Sequence, residues 1–135
     1  MKKIVIIMVM LGFVVSISYA QKLNASKVPA AVKSAFTKNH AATKASWTKE
    51  ESNYEAEFTL NGKETSEVYT AAGVVTETET EINVAEFPEA VKMKLKGQKV
   101  TEAAKITKVD GTIIYEAEVN GKDLLFDAKG NQVKK

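Results

Sequence analysis

The chain has 135 residues, a formal charge of +2, one histidine, no cysteine and no arginine. Without cysteine there are no disulfides and no thiol chemistry. Without arginine or a strong positive field, the usual means of gripping nucleic acid are missing.

Lys2 and Lys3 precede an apolar run from Ile4 to Ile17, which closes on Ser18-Tyr19-Ala20. That is the pattern of a secretory signal peptide cleaved after Ala20. The run is shorter than the roughly 20 apolar residues of a comfortable membrane span. The expectation is a periplasmic or secreted protein with no membrane insertion after cleavage. Removing residues 1–20 takes away two lysines and leaves 17 lysines against 17 acidic residues. A chain of about 115 residues buries roughly two-thirds of its unfolded surface, whereas half that length is marginal. One domain over residues 21–135 is expected.

Residues 21–27 read as a short mobile lead-in. From Val28 onward one pattern is written twice, about 59 residues apart: Val28-Pro-Ala-Ala-Val-Lys33 and Phe87-Pro-Glu-Ala-Val-Lys92, then Tyr-Glu-Ala-Glu at Tyr54 and Tyr115, then Asn-Gly-Lys at Asn61 and Asn120, then a glycine at Gly73 and Gly130. The repeats span about 28–82 and 87–135. Val28, Ala31, Val32, Ala35 and Phe36 fall on one face of a helix that starts near Pro29 and ends near Asn39-His40. Phe87, Ala90, Val91, Lys94 and Leu95 repeat that stripe, and Gly97 supplies a stop. Lys94 falls on the inner stripe, so it snorkels or the helix is short.

After each helix the period changes to two. Thr43, Ala45 and Trp47 alternate with polar residues, as do Ala104 and Ile106. Tyr54, Ala56, Phe58 and Leu60 face one way and Glu55, Glu57 and Thr59 the other; Tyr115, Ala117 and Val119 oppose Glu116 and Glu118. Asn61-Gly62, Asp110-Gly111 and Asn120-Gly121 read as type I′ hairpin turns, which need positive φ at both central residues. Third strands follow around 65–70 and 123–127, and fourth strands around 74–82 and 132–134. The second copy is two residues shorter between Tyr-Glu-Ala-Glu and Asn-Gly, so a strand pair there is trimmed or bulged. The expected fold is α+β: two tandem helix-plus-four-stranded-meander repeats, forming one antiparallel sheet with two helices packed on one face.

The helix with Pro-x-Ala-Val, a first strand bearing Trp47, Tyr-x-Ala on the second strand and aromatic-x-x-x-Gly closing the third resemble the PepSY-like group, also described as β-lactamase-inhibitor-protein-like. The resemblance covers the chain from Val28 to its end. It implies a small periplasmic binding or inhibitory module that works through the exposed face of its sheet. The inhibitor relatives are disulfide-stapled, unlike this chain, and no inhibitory residue is carried over.

The residues themselves carry no catalytic constellation. His40 has no evident nucleophile or base beside it. Glu77, Glu79 and Glu81 share one strand face but splay about 6.6 Å apart, since a strand rises about 3.3 Å per residue. They suit a solvated face that blocks edge-to-edge pairing. Glu55, Glu57, Glu116 and Glu118 suit cross-strand pairs with Lys44, Lys49, Lys105 and Lys108. The lysines at 92, 94, 96 and 99 suit a solvated helix face. Trp47, Tyr54, Phe58, Tyr69, Tyr115 and Phe126 belong to the core. Leu124 and Leu125 are adjacent, so one of them, with Val68 or Tyr69 in the first copy, must face outward.

The candidate partner-binding set is Glu55, Glu57, Val68, Glu116, Glu118 and Leu125. No catalytic residue, metal ligand or cofactor is expected. The expected function is a non-enzymatic module that recognises a protein or peptide in the periplasm, with a hydrolase of the peptidase type as the inhibited partner. The alternative is a small-ligand or cation-responsive envelope protein that uses its acidic strand faces. A monomer or weak dimer is expected.

Overall fold

The computed structural model describes residues 21–134, so the expected leader and its expected cleavage site lie outside the described residues. Within that range the period-two segments form a nine-stranded sheet in which every neighbour in space is a neighbour in sequence: β1 (Gln21–Leu23), β2 (Ser46–Glu50), β3 (Asn53–Leu60), β4 (Lys63–Tyr69), β5 (Val75–Glu81), β6 (Val100–Lys108), β7 (Ile113–Val119), β8 (Lys122–Phe126) and β9 (Gln132–Val133). All pairs are antiparallel. Two helices, α1 (Ala30–Asn39) and α2 (Glu89–Lys94), pack on one face. This is the expected α+β architecture.

Equivalent positions of the repeats build equivalent halves of the core. Val28, Val32 and Phe36 meet Trp47, Ala56, Phe58 and Tyr69 in the first. Phe87, Val91 and Leu95 meet Ala103, Ala117, Val119 and Phe126 in the second. Phe36 sits at the centre of the first half, edge-on to Trp47 at 5.5 Å and to Phe58 at 5.1 Å between ring centroids. Such pairs contribute about 0.5–1.5 kcal/mol each beyond area burial.

Several boundaries depart from the sequence reading. Gln21–Leu23 is not a mobile lead-in but an edge strand, because Leu23 pairs with Trp47 and packs into the first cluster. Each helix is preceded by a 3-10 turn capped by asparagine. The Asn24 side chain accepts from Ser26 N at 3.1 Å, and Asn83 forms a capping box with Glu86. The prolines then stand at the N-cap positions. Helix α2 is short and Lys94 is exposed, which resolves the conflict of a lysine on the inner stripe. The alternation expected from Thr43 holds in burial, with Ala45 and Trp47 packed in the first core, but β2 starts only at Ser46.

The Asn-Gly turns have positive φ at both residues, 52 and 77 at Asn61-Gly62, and 53 and 72 at Asn120-Gly121. Asp110-Gly111 does not: only Gly111 is positive, and the Asp110 carboxylate accepts from Thr112 N at 2.8 Å. An aspartate that bonds the backbone two residues on makes its own turn, with no need of the I′ geometry. The shorter hairpin of the second repeat is β7–β8, where Asn120-Gly121 joins Val119 to Lys122, whereas the first runs on to Leu60 and Lys63. The bulges lie elsewhere, at Val68/Tyr69 and Val100/Glu102.

The glycine four residues after Tyr69 and Phe126 is where the sheet meets the helix. A Cβ on Gly73 would lie 2.5 Å from the Ala31 carbonyl oxygen, and one on Gly130 would lie 2.8 Å from that of Ala90. Both have φ above +80. Gly73→Ala and Gly130→Ala should each destabilise by about 2–4 kcal/mol in urea denaturation, adding a backbone clash to the left-handed penalty. Gly62→Ala, with nothing within 4 Å of the new Cβ, should lose only about 1–2 kcal/mol. Equal losses at all three sites would refute the helix contact.

Candidate functional site

The antiparallel register assigns every strand residue to one of two faces. Trp47, Ala56, Glu67, Thr78 and Thr107 form one cross-strand row on the helix side. The rows between belong to the helix-free face. One is Thr48–Glu55–Val68–Glu77–Lys108, a second Ser46–Glu57–Ser66–Glu79–Ile106–Ile114, a third Glu81–Ala104–Glu116–Leu125–Val133, and a fourth Glu102–Glu118–Asp123. All six candidate residues, Glu55, Glu57, Val68, Glu116, Glu118 and Leu125, therefore lie on that face. The choices left open are settled: Leu124 packs with the second core cluster and Tyr69 with the first, so Leu125 and Val68 take the other side.

One expectation about the glutamates fails. Glu77, Glu79 and Glu81 share a face, but β5 is the central strand, between β4 and β6 at the junction of the repeats. They cannot be guarding an edge. Lys49, Lys105 and Lys108 are not register partners of the Tyr-Glu-Ala-Glu glutamates. Lys105 stands opposite Tyr115 on the helix side, Lys49 opposite Tyr54 with its ammonium 5.8 Å from that ring, and Lys108 opposite Glu77. Glu118 instead accepts from Thr101 Oγ1 at 2.8 Å.

At the centre of the second half of this face sits a third apolar cluster, Ile106, Ile114 and Leu125, with Val133 against it. Neither helix contributes to it. The first repeat has no equivalent. Where Ile106 pairs with Ile114 in the β6–β7 hairpin, Glu50 pairs with Asn53 in β2–β3. Where Ala104, Glu116 and Leu125 stand in a row, the first half has Thr48, Glu55 and Val68.

The helix side holds a polar constellation that sequence reasoning missed. His40 Nε2 lies 2.9 Å from Glu67 Oε1, and the Tyr69 hydroxyl donates to Glu67 Oε2. Glu67 is buried, and His40 packs against the rings of Phe36 and Phe58. Burial first, then the hydrogen bond and charge of Glu67, push the Tyr69 hydroxyl well above the ordinary tyrosine range. Parity carried the signal: Thr65, Glu67 and Tyr69 share the inner register, where an acid needs a partner. No nucleophile or open cleft accompanies these groups. An open depression of about 340 Å³ near the end of α2, lined by Lys94, Gln98, Leu124, Phe126 and Asn131, contains no acid–base pair. Among the described residues, no three His, Cys, Asp or Glu side chains converge on a metal position.

No protein-family model matches the chain, and no curated protein sequence matches it either. Solved structures share its fold. A Bacteroides eggerthii protein provisionally named as periplasmic superposes with a TM-score of 0.72 at 21% identity, over 79% of this chain and 86% of its own. A DUF2874 family protein from Bacteroides uniformis gives 0.70 at 23% identity, over 78% and 86%. A BLIP-like protein from Bacteroides fragilis gives 0.64 at 21% identity, over 78% and 84%. The chain thus has a BLIP-like fold; none of these neighbours carries the PepSY name.

The repeats predict what the buried trio does. At the rung where the first repeat has Glu67 and Tyr69, the second has Leu124 and Phe126. Tyr69→Phe alone should cost about 1–3 kcal/mol by stripping a hydrogen bond from a buried carboxylate. Adding Glu67→Leu should recover most of that loss, because apolar replacement of a buried polar set is near neutral. The ionised hydroxyl is disfavoured in the fold, so Tyr69 contributes stability below its unfolded value near pH 10 that is lost as pH rises beyond it. Tyr69→Phe should flatten that alkaline limb in denaturation curves.

Proposed function

We propose that this protein is a periplasmic, non-enzymatic binding module that recognises a protein or peptide partner with the helix-free face of its sheet. The observation that carries the reading is the helix-free face itself, on which the register aligns acidic rows around a buried apolar cluster of Ile106, Ile114 and Leu125. The first repeat, which lacks that cluster, has Glu50, Asn53 and Val68 at the matching rungs. The leader pattern in residues 1–20 and the provisional name of the Bacteroides eggerthii neighbour support an envelope location.

The partner we infer is a hydrolase of the peptidase type, inhibited by occlusion. Support for this finer reading is the resemblance of the sequence to PepSY-like units and the BLIP-like name of the Bacteroides fragilis neighbour. A broad antiparallel sheet suits occlusion: its register fixes side chains without a mobile loop, so little conformational entropy is lost on docking.

The test is site-specific photo-crosslinking in the native cell envelope, with the crosslinker at Glu57 or Glu118 and, as controls, at Lys33 or Lys92. One dominant partner should be captured from the first pair only, and its yield should fall about tenfold, or about 1.4 kcal/mol of affinity, with Glu55→Lys and Glu116→Lys together. If that partner is a peptidase, stoichiometric addition of the purified chain should suppress its turnover. Capture only through Lys33 or Lys92 would overturn the proposed face.

A further inference from the structure

The two repeats differ at the end of the second helix, on the helix side of the sheet. Helix α1 runs ten residues, and its C-cap, His40, packs its ring against Phe58 and sets Nε2 2.9 Å from Glu67. Ala35 and Val75 pack against the same core. That corner of the first repeat is closed. Helix α2 stops after six residues, at Lys94, and the residues around its end are exchanged. Counted from the shared prolines, Lys94 stands for Ala35 and Gln98 for Asn39. Counted from the shared glycines, Leu124 and Phe126 stand for Glu67 and Tyr69, and Gln132 for Val75. The second-repeat residues of these pairs, with Asn131, line the open depression of about 340 Å³.

The lining has the chemistry of a site for a small acid. Leu124, half-buried, and Phe126 supply its apolar wall. Lys94 is exposed and has no carboxylate partner among the described residues. Asn131 donates its side-chain nitrogen to Asp127 Oδ2 at 2.9 Å, so the atom it has left for a ligand is an acceptor, Oδ1. The Asp127 carboxylate is itself taken up by three N–H donors, the backbone of Lys129 and the backbone and side chain of Asn131. A cation, an amide acceptor and an apolar wall match a carboxylate, a neighbouring N–H and a large side chain. An N-acylated apolar amino acid carries that set. We propose that the depression binds such a group, with its carboxylate on Lys94, its N–H on Asn131 Oδ1 and its side chain against Leu124 and Phe126. Two sources present this chemistry, a free N-acyl amino acid and the C-terminal residue of a peptide. Ligand pockets span roughly 300–1,000 Å³, so this one holds a single residue and not a length of chain. For so few atoms the expected Kd is on the order of 1 mM. The site is separate from the helix-free face and does not rest on the reading of that face.

Purified protein is titrated with N-acetylphenylalanine and followed by backbone amide shifts. Amides of residues 94–98, 124–126 and 130–132 should move, and those of α1 and β2 to β4 should not. The primary amide of the same compound, which lacks the carboxylate, should bind about fivefold more weakly, the loss expected of an exposed ion pair. The Lys94→Gln variant should show the same loss toward the acid. N-acetylserine, without the apolar body, should not reach saturation. Leu124→Trp, which fills the depression, should abolish the shifts; Lys94→Gln, at an exposed position, keeps the site testable should Leu124→Trp fail to fold. An acetylated tripeptide ending in phenylalanine separates the sources. Tighter binding than the single residue assigns a peptide C-terminus, and equal or weaker binding assigns the free acid. No shift at about 10 mM ligand, ten times the expected Kd, would overturn the proposal, as would shifts confined to the helix-free face. Equal binding of the acid and its amide would overturn it too, since apolar bulk alone would then be selected. None of these outcomes bears on crosslinking through Glu57 or Glu118, so the two readings stand or fall separately.

Discussion

Everything in this structure depends on one parity: which residue of each strand points to the helices. In a meander of nine strands that choice passes from neighbour to neighbour through the register, and a slip of one residue would turn a whole strand inside out. Where the two repeats differ, the difference respects it. The β7–β8 hairpin is shorter than β3–β4 by two residues in each arm, so Tyr115 still meets Phe126 as Tyr54 meets Tyr69. The bulges at Val68/Tyr69 and Val100/Glu102 each absorb a residue without inverting the rest of the strand. The helices lock the choice, since Val32 and Val91 have no exposure at all.

Duplication supplies an internal control on what the fold requires. The features common to both halves, an asparagine-capped turn, a proline-led helix, an Asn-Gly hairpin and a glycine pressed on a helix carbonyl, are structural. The features found in one half alone need another account. The buried His40–Glu67–Tyr69 set belongs to the first half and the Ile106–Ile114–Leu125 cluster to the second, on opposite faces. Each half manages without the other's addition. The buried set has the character of a specificity device in the core, since polar burial is costly unless every partner is present. The apolar cluster lies on the face away from the helices, where Ile106, Ile114 and Leu125 are buried and form a small core of their own.

Much of this was legible in sequence because local rules dominate a meander. Strand alternation, the Asn-Gly turns and the helix stripes fixed the architecture and brought Glu55, Glu57, Glu116 and Glu118 to one face before any strand order was known, while the choice of Val68 over Tyr69 and of Leu125 over Leu124 needed the register. The features that escaped depended on information outside the local window. Which glutamate lies opposite which lysine is a matter of register, so Lys105 and Lys49 proved not to stand across from the glutamates although the faces of the glutamates were right. That β5 is central and not an edge comes from the joining of two repeats into one sheet. The strand at Gln21 exists because Leu23 finds Trp47, a partner more than twenty residues away. Glu67 was missed for a different reason: its neighbours read as an ordinary polar run, and only counting its parity against Tyr69 reveals that it points inward.

The same distinction between composition and placement bears on recognition. The balance of 17 lysines and 17 acids over residues 21–135 implies a molecule with no field to steer anything, and that step fails once the charges are sorted by face. A partner within about a Debye length, roughly 8–10 Å at physiological salt, feels the nearer face and little of the farther one. The absence of arginine remains informative, because it concerns the geometry of individual contacts and not a sum. Net charge describes how the protein behaves at a distance; at contact, the antiparallel register decides what sign a partner meets. On the helix-free face that sign is negative, and the half of the sheet where the repeat exchanged Glu50 and Asn53 for Ile106 and Ile114 buries its own small apolar cluster beneath it.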